Sequence, residues 1–134
     1  MNNLKGHISG VQVSGTMSIV SVTIAKDLIW KVIVIETPET APYLVIDKKI
    51  ALFFKETEVI LGTGDLPNVS IQNRITGTIR QLKKGTLLSN VLINTNLGDV
   101  SAIVATDAIE QLQLKKDVNV TAMVNLNEIM LTEI

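Results

Sequence analysis

Leu4-Lys5-Gly6-His7-Ile8, close to the start of the chain, returns as Ile75-Thr76-Gly77-Thr78-Ile79, with the glycine and the flanking apolar residues in the same places. Two further stretches recur in the same order. Ser14-Gly15-Thr16-Met17 matches Lys84-Gly85-Thr86-Leu87, and Lys55-Glu56-Thr57-Glu58-Val59-Ile60-Leu61 matches Asn125-Leu126-Asn127-Glu128-Ile129-Met130-Leu131. Three anchors about 70 residues apart make the chain a tandem repeat, the pattern to establish before any fold is assigned.

Each copy reads as β. Val20-Ser21-Val22-Thr23-Ile24 and Val118-Asn119-Val120-Thr121-Ala122 alternate apolar and small polar residues, as half-buried strands do. Trp30 to Ile35 and Ile50 to Phe54 are nearly continuous apolar runs of strand length, which suits strands covered on both faces. Gly15 and Gly85 are expected to turn the chain between the first two strands of each copy. Between the third and fourth strands stand Thr37-Pro38-Glu39 and Thr106-Asp107-Ala108. Thr caps helix N-termini, Pro fits the first helical position, and acids suit the positive end of the dipole. These signals predict a helix of about two turns in each copy, running to near Leu44 and Leu114. A last short strand, Glu58 to Leu61 or Glu128 to Thr132, completes the order β-β-β-α-β of an OB-type barrel. The expected fold is all-β with one short helix per repeat: two tandem five-stranded OB-like Greek-key barrels. Residues 1–62 form the first, divergent module, 63–69 a linker with glycine and proline, and 70–134 the second module. So short a linker should hold the modules against each other.

Composition narrows the function. Hydrophobic residues make up 46% of 134 residues and aromatics 3%, so the core must be built from Val, Ile and Leu. The absence of cysteine excludes a disulfide framework and thiolate metal sites, and the single histidine, His7, excludes a multi-histidine site within one chain. No metal is expected except as an oxyanion. No apolar run approaches the roughly 18 residues of a membrane span, and Met1-Asn2-Asn3-Leu4-Lys5-Gly6 lacks a signal peptide's apolar core. A cytoplasmic protein without membrane insertion is expected. Twelve basic against thirteen acidic residues, with no basic block, disfavour nucleic acid as a partner. A compact anion stays possible, because backbone N–H groups, hydroxyls and amides can hold one without a large positive charge. Lys83-Lys84 and Lys115-Lys116 read as turn and pre-strand charges, and Trp30 and Tyr43 as core or subunit-interface residues. Gly62-Thr63-Gly64 lacks the lysine of a phosphate-binding loop. No Ser/His/Asp, Cys/His or paired-carboxylate constellation is present, so the chain is not expected to be an enzyme.

The second copy resembles a Mop domain, the TOBE-type molybdate-binding module. That family opens with Ser-Ala-Arg-Asn, an apolar residue two places on and a glycine two later; this chain has Ser70-Ile71-Gln72-Asn73-Arg74-Ile75-Thr76-Gly77. Leu82-Lys83-Lys84-Gly85 and Glu128-Ile129-Met130-Leu131 continue the likeness, and Lys55-Glu56-Thr57-Glu58-Val59-Ile60-Leu61 of the first copy resembles the family ending Lys-Ala-Thr-Glu-Val-Met. Two such modules in one chain resemble the di-Mop proteins, intracellular binders of molybdate or tungstate that assemble as homotrimers.

The resemblance implies an oxyanion held between modules or subunits by the opening of one module and the Lys-Ala-Thr turn of a neighbour. Carried onto this chain, it designates Lys55, Glu56, Thr57, Ser70, Ile71 and Gln72, with Asn125 and Asn127 as a second set. Molybdate or tungstate would be the bound ligand, with no organic cofactor, in a storage, buffering or delivery role. The chain departs from the pattern at Gln72 in place of Arg and Asn125 in place of Lys, and Met1-Asn2 leaves no room for the first copy's Ser-Ala-Arg. The family's Thr before the helix is Glu36 in one copy and Ala105 in the other. These departures motivate an alternative: a non-catalytic interaction or regulatory module that keeps the barrel for assembly with a transporter or cofactor-synthesis partner.

Overall fold

Alternating patterns in the first third of the chain fold into a meander of β1 (Asn2–Ser14), β2 (Met17–Ala25) and β3 (Leu28–Val34) in the computed structural model, which describes residues 1–134. Gly15 turns β1 into β2 with φ +62°, a left-handed conformation that costs glycine nothing. β4 (Lys49–Phe54) then returns antiparallel to β1, giving the Greek-key order 4-1-2-3. The second copy repeats the path with β6 (Asn73–Lys83), β7 (Leu88–Thr95), β8 (Gly98–Ala105) and β9 (Asn119–Val124). Even the bulges match, Ser9 and Arg80 being the residues skipped in the β1–β2 and β6–β7 registers.

Glycine recurs at Gly6 and Gly77 for a shared steric reason. A Cβ at Gly77 would lie 2.5 Å from the Asn94 carbonyl oxygen, and one at Gly6 would collide with the Thr23 carbonyl. Gly85 stands in the connection between β6 and β7, as expected, and leaves room for the Leu88 carbonyl to approach without taking a positive φ.

The helices follow the sequence in only one copy. α1 (Thr106–Gln111) forms in the second, although Ala105 occupies its N-cap. Thr106 is instead buried inside the first turn, its hydroxyl 2.9 Å from Ser89 Oγ and donating to the Gly85 carbonyl. In the first copy, the stretch from Thr37 to Leu44 makes isolated turns, Ala41 N–H donating to Thr37 C=O and Leu44 N–H to Ala41 C=O. Pro42 is the cause: it lacks an N–H, and its ring pushes Ala41 away from the helical region.

The last strand of each copy exists, but not in its own sheet. After β4 the chain makes a single 3₁₀ turn, Glu56–Glu58, and crosses to the second module, where β5 (Ile60–Gly62) pairs with β9. After β9 the equivalent turn, Leu126–Glu128, sends β10 (Met130–Glu133) back to pair with β4. The sheets are therefore β10-β4-β1-β2-β3 and β5-β9-β6-β7-β8, two OB-like modules that have exchanged their final strands. Val59 and Ile129, at the crossings, are both buried. One continuous core runs through both modules, with Trp30 and Phe54 packed at a centroid distance of 5.6 Å. No helix is long and apolar enough to cross a membrane.

Candidate functional site

Two equivalent seams join the modules, each built on an asparagine at the start of a module's first strand. Asn73 Oδ1 accepts from the Lys31 N–H at 2.7 Å while its Nδ2 donates to the Lys31 C=O at 2.8 Å. Asn2 grips Ser101 in the same way, with both contacts at 2.8 Å. Lys31 and Ser101 lie on β3 and β8, the edge strands of their sheets, so each amide satisfies a donor and an acceptor that no neighbouring strand reaches. Both asparagines are buried, at 7% and 2% exposure. Trp30 adds a third bond across the seam, its indole N–H donating to the Arg74 C=O at 3.1 Å.

The segment leading into β6 is pinned by Arg74. Its guanidinium donates to the carbonyls of Ile71 and Val69, each at 2.8 Å, and to that of Leu66. The cation nearest the opening Ser70-Ile71-Gln72 is therefore engaged by its own chain. Ile71 points its side chain into the protein at 8% exposure and offers only backbone outward, whereas Ser70 and Gln72 are exposed.

Gln72 and Asn125 flank the last ladder pair, Asn73 with Val124. Ser70 and Gln72 thus share one end of the β6–β9 ladder with Asn125 and Asn127, on a turn that packs against β3. Lys55, Glu56 and Thr57 occupy the equivalent place at the other seam, where their turn packs against β8. Lys55 and Thr57 are exposed; Glu56 is half-buried, its Oε1 2.9 Å from the Met1 ammonium. That hydrogen bond holds the Glu56 carboxyl below the usual carboxylate range, against an opposing contribution from desolvation.

Within one chain, no hydrogen bond or ion pair connects the Lys55–Thr57 turn with Ser70–Gln72, and the side chains of Lys55, Thr57, Ser70, Gln72, Asn125 and Asn127 have no protein partner. Six donors, in two groups related by the repeat, face outward. Glu36 is held elsewhere: its carbonyl accepts from Ser18 Oγ at 2.7 Å, and its carboxylate lies 3.5 Å from the Tyr43 hydroxyl. Burial, followed by the Glu36 charge, raises the Tyr43 pKa.

Sequence reading missed Asn2, Asn73 and Arg74 as seam and loop ties. The two asparagines were open to detection, since they stand at the same place in each copy; the carbonyls that Arg74 gathers leave no mark in sequence.

Comparison with known proteins bears on the fold and on the second module. The TOBE domain family matches residues 69–131. A crystal structure of the cytoplasmic molybdate-binding protein ModG with molybdate bound has the same overall fold, with TM-score 0.90 and 20% identity over 99% of this chain and 96% of that one. MopII from Clostridium pasteurianum is 27% identical over 43% of this chain and 88% of its own, with TM-score 0.42. No curated protein matches the sequence. The TOBE match thus falls on the second module, which strand exchange joins to a divergent copy of the same OB-like fold.

Proposed function

We propose that this protein binds a molybdate-type oxyanion, molybdate or tungstate, in the cytoplasm, as a non-catalytic store, buffer or carrier. The observation carrying this reading is that the TOBE module presents Ser70 and Gln72 beside Asn125 and Asn127 as exposed donors with no partner in their own chain. A tetrahedral dianion needs several short hydrogen bonds converging from different directions. Each group is open on its outer side, so the site closes when a second chain brings its Lys55–Thr57 turn, or its own opening, against these donors. A homotrimer supplies three such closures, and excluding water there strengthens every bond to the anion.

Calorimetric titration with molybdate, tungstate and sulfate, alongside sedimentation, tests the proposal. Micromolar binding of the first two by an oligomer supports it; no binding of either defeats it. Glu56 sets the sign of a second test. Its carboxylate stands where the family carries Ala, so Glu56→Ala removes a like charge and frees an ammonium. Affinity should rise about three- to tenfold, the scale of one partly screened repulsion.

The same carboxylate, with Gln72 and Asn125 in place of cations, favours a second reading in which the modules serve only as an assembly scaffold for a transporter or cofactor-synthesis partner. A protein whose thermal unfolding is unmoved by molybdate, and which captures a protein partner, would fit that reading, because a ligand of the folded state must raise apparent stability.

A further inference from the structure

Four cations that are scattered in sequence line one hollow of the second module. Arg80 from the bulge of β6, Lys84 from the turn after it, and Lys115 and Lys116 from the loop before β9 surround about 500 Å³, with Leu82 and Leu114 in the same lining and no acidic side chain among it. Arg80 and Lys84 have acidic partners outside the hollow, Asp99 at 2.7 Å and Glu110 at 3.0 Å, and all four of these side chains are substantially solvent-exposed. Such exposed pairs are weak, and both cations keep donors free for a competing anion. Lys115 and Lys116 have no acidic partner.

The fold does not demand this charge, as the first module shows. Its loop before β4 has the same hydrogen bonds: Asp47 N–H to Ile8 C=O and Asp117 N–H to Ile79 C=O are both 2.8 Å. Lys48 N–H likewise donates to Val45 C=O as Val118 N–H does to Lys115 C=O. Val45 and Ile46 therefore stand where Lys115 and Lys116 stand, and Ser9 occupies the bulge position of Arg80. Gln12 opposite Ile19 answers Lys83 opposite Asn90, so strand register places Val13, one residue before the Ser14 that the sequence alignment suggests, where Lys84 stands. Four uncharged residues in one module correspond to four cations in the other, in a chain of net charge −1.

We propose that this hollow is a binding site for a small phosphorylated molecule, the lysines and arginine taking the phosphate and the two leucines contacting its apolar or planar body. Lysine ammonium groups act as mobile point charges toward phosphate, and a guanidinium adds a planar fork. The volume falls in the range of small-molecule sites and leaves room for more than an inorganic oxyanion. None of the oxyanion residues at the seams lines it.

Isothermal titration of the full chain with ADP, pyrophosphate and adenosine tests the site. ADP should bind once per chain, pyrophosphate more weakly and adenosine not at all, with ADP affinity falling as salt is raised. The double variant Lys115→Gln, Lys116→Gln should lose at least about tenfold in ADP affinity while keeping the parent circular dichroism spectrum, the loss expected of two charge-assisted bonds. Lys5→Gln with Lys49→Gln, on the first module, should bind ADP as the parent does. Absence of ADP binding at millimolar concentration, an unchanged isotherm for the Lys115/Lys116 variant, or tighter capture of a single-stranded oligonucleotide than of ADP would each overturn the assignment.

Discussion

Asn73 shows how much of this protein depends on a single amide. Its two buried bonds to Lys31 complete the edge of the other module's sheet. Asn73→Ala leaves the Lys31 N–H and C=O without partners at a crowded seam, so urea unfolding should show a loss of about 1–3 kcal/mol. Asn2→Ala should cost a similar amount at the Ser101 seam, and the two losses should add because the contacts share no partner. Strong coupling between them would mean that the seams are not independent. At this scale the sequence was legible where a residue type answers to local backbone geometry. Gly15 was found because a turn needs it and Gly77 because the repeat preserves it, whereas the close approach that explains Gly77 and the burial against Ser89 of Thr106, expected as a cap, are tertiary facts.

Strands were legible because alternation reports one buried face, and β2 buries every second residue as its pattern requires. The helix of the first copy failed on Pro42, a local rule outweighed by the cap signal at Thr37. The destination of β5 and β10 could not be read at all, since Ile60-Leu61 and Met130-Leu131 are alike in sequence and nothing local distinguishes pairing with one sheet from pairing with the other. This gives an unintuitive expectation: removing residues 130–134 should damage the first module, not the second. In hydrogen exchange, amides of Lys49–Phe54 should lose protection before those of Asn119–Val124, which keep β5 as their neighbour. The reverse order would contradict the exchange.

For the molecule as a whole, exchanged strands and a common core make two repeats into one cooperative unit. Scanning calorimetry should record a single two-state transition, with calorimetric and van't Hoff enthalpies equal; two resolved transitions would show independent modules. The repeat itself was plain in the sequence, as was its likeness to a TOBE module. What stayed hidden was that Lys55–Thr57 and Ser70–Gln72, combined in one expected site, lie at opposite seams of the chain.

The return of β10 to β4 also orders events during synthesis. The first sheet cannot acquire its outer strand until some 80 residues after Lys49 have left the ribosome, and meanwhile the far side of β4 presents an unpaired row of N–H and C=O groups. For most of its translation, the nascent first half is an open template that any extended segment can join. While that edge is open, a neighbour's strand competes for it, and the competition weakens as the chains are diluted.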